Sequence, residues 1–132
     1  MPRVLIIDDD DTMREMLVQM MEREGIESVS AEDGHKGLRL LQREEIELVI
    51  TDIVMPCKEG LETIMNVRKK YPGIPIIAVS GGGKIGPESY LPMAKEFGAR
   101  FVFAKPLIRK EFVAAVKKCL GPAGRAGVST PL

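Results

Sequence analysis

The 132-residue chain has no tryptophan, two tyrosines, four phenylalanines and a single histidine. So few rings leave little from which to build the stacking platforms that bind single-stranded nucleic acid. One histidine, His35, argues against a histidine-based catalytic triad and a histidine-rich metal site; it reads as a surface residue near the start of a helix. Neither sign of charge is in excess, with Lys+Arg and Asp+Glu at 19 each, which gives no footprint for nucleic acid or an anionic membrane. The two cysteines, Cys57 and Cys119, lie far apart and form no CxxC pair, the usage of a reduced, cytosolic protein. Charge appears by Arg3 and Asp8, so no signal-peptide apolar region is present. No apolar run approaches the roughly 20 residues of a membrane span. A soluble, cytoplasmic, single-domain protein is expected, with no nucleic-acid partner and no membrane insertion.

Against that background stands "VLIIDDDDT", four carboxylates directly after an apolar run. Neighbouring carboxylates repel, and burial makes the repulsion worse, so solvent, a helix N-terminus, a lysine or a metal ion must offset it. The run "RVLIID" reads as a strand buried on both faces. Further strands are read in "IESVSA", "IELVITD", "IPIIAVS" and "ARFVFAK". Between them, Thr12 and Glu15 make a capping box for a helix with Met13, Met16, Leu17, Met20 and Met21 at helical spacing, stopped by Gly25. "GHKGLRLLQRE", "LETIMNVRKKY" with Leu61, Ile64 and Val67 on one face, "YLPMAKEFG" and "IRKEFVAAVKKCL" with Phe112, Ala115, Val116 and Cys119 inward read as four more helices. Pro92 lacks an amide hydrogen and fits only a first turn, so its helix starts late. "VMPCKEG" and "GGGKIGPES" read as loops, and the Gly/Pro-rich 121–132 as a flexible tail. Five alternations of strand and helix predict an α/β fold, a parallel sheet covered by helices on both faces. The ligand site of such a sheet lies at the carboxyl ends of the strands.

At those ends stand Asp8 and Asp9, then Asp52, then Ser80, then Lys105. Clustered carboxylate oxygens suit a hard cation such as Mg²⁺, with Mn²⁺ as a substitute. Such an ion offsets the repulsion and leaves room for a phosphate oxygen. One carboxylate can then attack phosphorus and form an acyl phosphate, while the hydroxyl and the ammonium hold the phosphoryl oxygens.

"VLIIDDDDTMRE", "LVITDIVMPCKEGLE", "PIIAVSGG" and "AKP", in this order and spacing, resemble the receiver domain of two-component response regulators from about Arg3 to Leu120. The resemblance implies a flavodoxin-like, doubly wound five-stranded sheet of order 2-1-3-4-5, an order cited for the chemotaxis receiver, with residues 1–120 as the receiver domain. It implies Asp52 as phosphoacceptor, Asp8, Asp9, Asp52 and the Val54 backbone carbonyl as Mg²⁺ ligands, Ser80 as switch hydroxyl and Lys105 as the phosphoryl's partner. It also implies a cis Lys105–Pro106 bond. Asp10 and Asp11 take no such role and read as helix-cap and first-turn charges. The implied partners are a sensor histidine kinase or a histidine phosphotransfer protein, and a downstream protein reached by contact or phosphorelay. Self-phosphorylation and autodephosphorylation would be stoichiometric, so no turnover enzyme is expected. No effector domain is read after Leu120, which suggests a stand-alone receiver.

Two departures from the family pattern carry expectations. Val102 stands where a switch aromatic is usual, and Phe101 and Phe103 beside it point to the other face of the strand. Output is therefore expected through the Gly81–Gly86 loop. Val54 and Gly82 offer no polar group to orient water, so the phosphoryl group should be long-lived. A rival reading, the DxDxT start of haloacid-dehalogenase-like phosphatases with Asp8 as nucleophile and Asp10 as acid/base, lacks the acidic pair required after Lys105. "GGGKIG" matches GxGxxG but follows the fourth strand rather than the first.

Overall fold

The computed structural model describes residues 3–53, 57–80 and 91–121. Strand and helix alternate as β1 (Arg3–Ile7), α1 (Asp11–Arg23), β2 (Glu27–Ala31), α2 (Gly34–Arg43), β3 (Leu48–Asp52), α3 (Cys57–Lys70), β4 (Ile76–Ser80), α4 (Leu91–Phe97), β5 (Phe101–Ala104) and α5 (Arg109–Leu120). The strands form one parallel sheet of order β2-β1-β3-β4-β5, the expected flavodoxin-like arrangement. Val54, Gly82, the Gly81–Gly86 loop, the Cys57 side chain and the tail beyond Gly121 lie outside what is described.

The apolar strands divide their residues between two cores by the two-residue period of the strand. Val4, Ile6, Leu48, Ile50, Ile77 and Val79 face α1 and α5, where Leu17, Met21 and Phe112 complete one cluster. Leu5, Ile7, Val49, Ile76 and Ala78 face the other way, against Leu41, Ile64 and Ala94 of α2, α3 and α4. That double burial is why β1, β3 and β4 read as unbroken apolar runs rather than alternating ones. On β5, Phe101 and Phe103 join the first cluster and Val102 the second, as alternation required. Phe103 meets Phe112 edge to face at 5.3 Å.

Three local expectations need correction. The cap of α1 is Asp10, whose carboxylate accepts from the amides of Thr12 at 3.0 Å and Met13 at 3.3 Å. The Thr12–Glu15 box is displaced because Asp10, in extended conformation three residues past the end of β1, caps two amides and favours the helix dipole. Asp10 and Asp11 thus hold the cap and first-turn places read for them. Met16 is 40% exposed while Leu17, Met20 and Met21 are buried, so the inward stripe is narrower than its methionines suggest. Helix α3 begins at Cys57, four residues before Leu61, and absorbs part of the segment read as a loop. Gly60 permits this: a Cβ there would lie 2.4 Å from the Ile53 Cα, so only a residue without one lets α3 settle on the end of β3.

Other expectations hold. Gly25, at φ 71°, ends α1. Its amide reaches the Glu22 carbonyl at 3.0 Å and the Ile26 amide reaches that of Met21 at 2.9 Å, a Schellman closure with Ile26 packed in the same core as Met21. Pro92 falls in the first turn of α4. In α5, Phe112, Ala115 and Val116 are buried and Cys119 half-buried, and Val113 and Leu120 join them inside. No helix among the described residues is long and apolar enough to cross a membrane.

Candidate functional site

Parallel register brings the carboxyl ends of β1, β3, β4 and β5 to one edge, Asp52 opposite Val79 and Ser80 opposite Ala104. The ladder runs one residue past two of these strands. The Asp8 amide donates to the Ala31 carbonyl at 3.1 Å, and the Lys105 amide to the Ser80 carbonyl at 2.8 Å. Both side chains are therefore placed by backbone pairing. The Lys105–Pro106 bond is cis, as expected.

Asp8 is 2% exposed. Its Oδ1 accepts from the Asp10 amide at 2.9 Å. Its Oδ2 has no hydrogen bond among the described residues and lies 3.6 Å from Lys105 Nζ, which stands equally 3.6 Å from Asp52 Oδ2. One ammonium thus sits between two nearly buried carboxylates. Asp9 adds a third, and carboxylate oxygens of Asp8, Asp9 and Asp52 lie within 4.8 Å of one another. Burial pushes the Asp8 carboxyl up to about 6, and repulsion from Asp52 and Asp9 adds to it, against the Asp10 amide and Lys105. Asp9 is raised as well, by desolvation and then by Asp52. Among the described residues three acids face one lysine here, which leaves net negative charge in a place that disfavours it. A divalent oxygen-seeking cation fits this donor set, and the orphaned Oδ2 of Asp8 is the atom such an ion would satisfy.

A cavity of about 80 Å³ opens beside the acids, with Glu32, Asp33, Thr51 and Thr63 also on its walls. Ser80 is fully buried, and its Oγ has no hydrogen-bond partner among the described residues. Asp8, Asp9, Asp52 and Lys105 are brought together as read. His35 is exposed in the first turn of α2, also as read. Asp10, the acid/base of the phosphatase rival, is spent capping α1.

Sequence reasoning missed two supports of the site. Arg14 donates from Nη1 to the Asp8 carbonyl at 2.7 Å and pairs with Asp11. Its spacing of three from Asp11 signalled the ion pair, but nothing signalled the bond to Asp8. Gly60, within the quoted "VMPCKEG", packs on the residue after Asp52.

The family model for the response regulator receiver domain matches residues 4–117. The transcriptional regulatory protein GlrR of Escherichia coli is 32% identical over 117 residues, 89% of this chain and 26% of GlrR. The chain thus spans about a quarter of that relative's length. The response regulator TrrA of Thermotoga maritima, solved in complex with Mg²⁺–BeF, is 31% identical with a TM-score of 0.78, covering 91% of this chain and all of that one. A CheY-like receiver domain protein from Methanospirillum hungatei is 28% identical with a TM-score of 0.82 over 96% of this chain and 99% of that one.

Proposed function

This chain belongs to the response regulator receiver family, and from that premise we propose that it takes a phosphoryl group onto Asp52 from the phosphohistidine of a sensor histidine kinase or histidine phosphotransfer protein. The observation that carries the reading is the single ammonium of Lys105, 3.6 Å from the Asp8 and Asp52 carboxylates alike. The receiver unit is taken as residues 1–120.

Receivers of this family bind Mg²⁺ through an acidic cluster, and Asp8, Asp9 and Asp52 form one here. Asp8, Asp9, Asp52 and the Val54 carbonyl would hold Mg²⁺, or Mn²⁺ in its place. When bound, the ion neutralises negative charge on the carboxylates and the incoming phosphoryl oxygens. That TrrA was solved with Mg²⁺–BeF supports a site taking both metal and anion. An Asp52 carboxylate oxygen attacks phosphorus; the new O–P bond forms as the N–P bond to the donor histidine breaks, and the imidazole leaves with its electron pair and is protonated. Lys105 exchanges its pairing with Asp52 for the phosphoryl oxygens. Ser80, buried without a partner among the described residues, turns its hydroxyl to donate to the same group.

Those two movements pull on the ends of β4 and β5 and shift the chain between two populations. Val102 has no ring to swing, and its packing against the α2–α3–α4 side leaves the segment after Ser80 as the carrier of the signal. Output passes by protein contact or onward phosphoryl transfer, with no catalytic turnover. Intact-protein mass after incubation with acetyl phosphate and Mg²⁺ tests the reading. A gain of one phosphoryl mass that requires Mg²⁺ and vanishes in Asp52→Ala is expected; no adduct, or one that survives in Asp52→Ala, overturns it.

A further inference from the structure

Beyond the acidic site, a second depression of about 380 Å³ lies where the carboxyl end of β2 passes between α1 and α2. Its walls carry the opposite charge. Lys36, Arg39 and Arg43 come from α2, and Arg14 comes from α1 on the other face of the sheet. In a chain with no net charge, four cations there face one acid on those walls, Glu32, which is already bridged to Lys36 at 3.2 Å. Arg14 is committed to Asp8 and Asp11. Arg39 and Arg43 are exposed, and neither has an acid within ion-pair distance among the described residues.

The floor of the groove is the end of an edge strand. Among the described residues β2 pairs only with β1. The Ala31 carbonyl points to β1, where it accepts from Asp8, so alternation turns the backbone groups of Ser28 and Ser30 to the free edge. Ser30 and Ala31 are small, which leaves room for a second backbone. From Lys36 to Arg43 the helix rises about 10 Å, while alternate residues of an extended chain stand about 7 Å apart. One phosphate would meet only part of that row; two or three alternating acids would meet all of it. The groove also presents no aromatic ring on which a nucleic-acid base could stack.

We infer that this groove docks an acidic, extended segment of a protein partner, which adds to the free edge of β2 and places alternate carboxylates on Lys36, Arg39 and Arg43. The backbone pairing supplies register and the arginines supply sign selectivity. The groove does not include Asp52 and shares only Glu32 with the walls of the acidic cavity.

Fluorescence anisotropy with a labelled peptide of alternating glutamate and valine, titrated with the full chain, tests this. The Arg39→Glu/Arg43→Glu double variant should weaken binding by about tenfold or more. Lys69→Glu/Lys118→Glu, also exposed and equally charge-reversed, should leave it within about twofold. N-methylation of alternate peptide amides should weaken it as strongly as the arginine changes, since charge alone is untouched by it. Equal losses in both charge variants, indifference to N-methylation, or tighter groove binding of pyrophosphate or a single-stranded oligonucleotide would each overturn the inference. Acetyl phosphate labelling of the arginine variant should match wild type. Loss of labelling in wild type would sink the receiver reading and leave this one standing.

Discussion

The acidic cavity and the basic groove share a wall, since Glu32 lines both. They treat charge in opposite ways. Asp8 and Asp52 hang from strand ends and are nearly buried, so their charges face one another through protein with one lysine between them. Arg39 and Arg43 stand exposed on a helix, where water screens each from the next at little cost. Burial therefore converts charge into strain and reactivity in the first, and its absence leaves the second as a recognition surface. Arg14 joins them, lining the groove while it holds the Asp8 carbonyl.

The largest effect expected from breaking this contrast is at Asp8. Its carboxyl sits at about 6 in the folded chain against an ordinary value of 3.8, so between those values the folded form holds more protons than the unfolded. Metal-free stability should fall as pH rises from about 4 to 6, and the full cost, at most about 3 kcal/mol, is present above that window. Asp8→Asn should recover most of it at pH 7.5 and little near pH 4, by urea unfolding in a chelator. Added Mg²⁺ should then stabilise wild type and not the variant. A metal-free wild type equally stable at both pH values would count against this account.

Removing the shared cation comes next. Lys105→Ala should slow labelling of Asp52 by acetyl phosphate by about 10²-fold, the usual cost of deleting one positioned donor at a developing charge. Time-resolved intact mass would read it, and a rate unchanged from wild type would exclude Lys105 from the phosphoryl's contacts.

A smaller loss is expected at Gly60→Ala, about 1–3 kcal/mol of stability from forcing a methyl against the Ile53 backbone. Because that contact lies one residue beyond Asp52, phosphorylation should slow alongside it. The smallest effect belongs to the groove: Arg39→Gln with Arg43→Gln should change stability by no more than about 0.5 kcal/mol, since solvated, unpaired side chains support nothing in the fold. A larger loss would mean that the groove is structural.

Much of this was legible in residue order. Apolar runs ending in Asp8, Asp52, Ser80 and Lys105, spaced by amphipathic helices, are enough to expect a parallel sheet and a site at its carboxyl edge. The misread places were those where a neighbour distant in sequence outweighs a local preference. Thr12 lost its cap to Asp10 because of where β1 delivers the chain. Gly60 looked like a loop glycine because Ile53, seven residues earlier, is visible against it only in three dimensions.

The sequence by itself determined which chemical groups the chain owns and, through the periods of strand and helix, which of them fall at strand ends. Only the tertiary structure decided what those groups feel. It set one ammonium 3.6 Å from two carboxylates, left Asp8 Oδ2 and Ser80 Oγ buried without hydrogen bonds among the described residues, and gathered Arg14 and the α2 arginines around the free edge of β2. Periodicity is a property of the local backbone, whereas desolvation and Coulomb energy depend on distances between residues far apart in the chain.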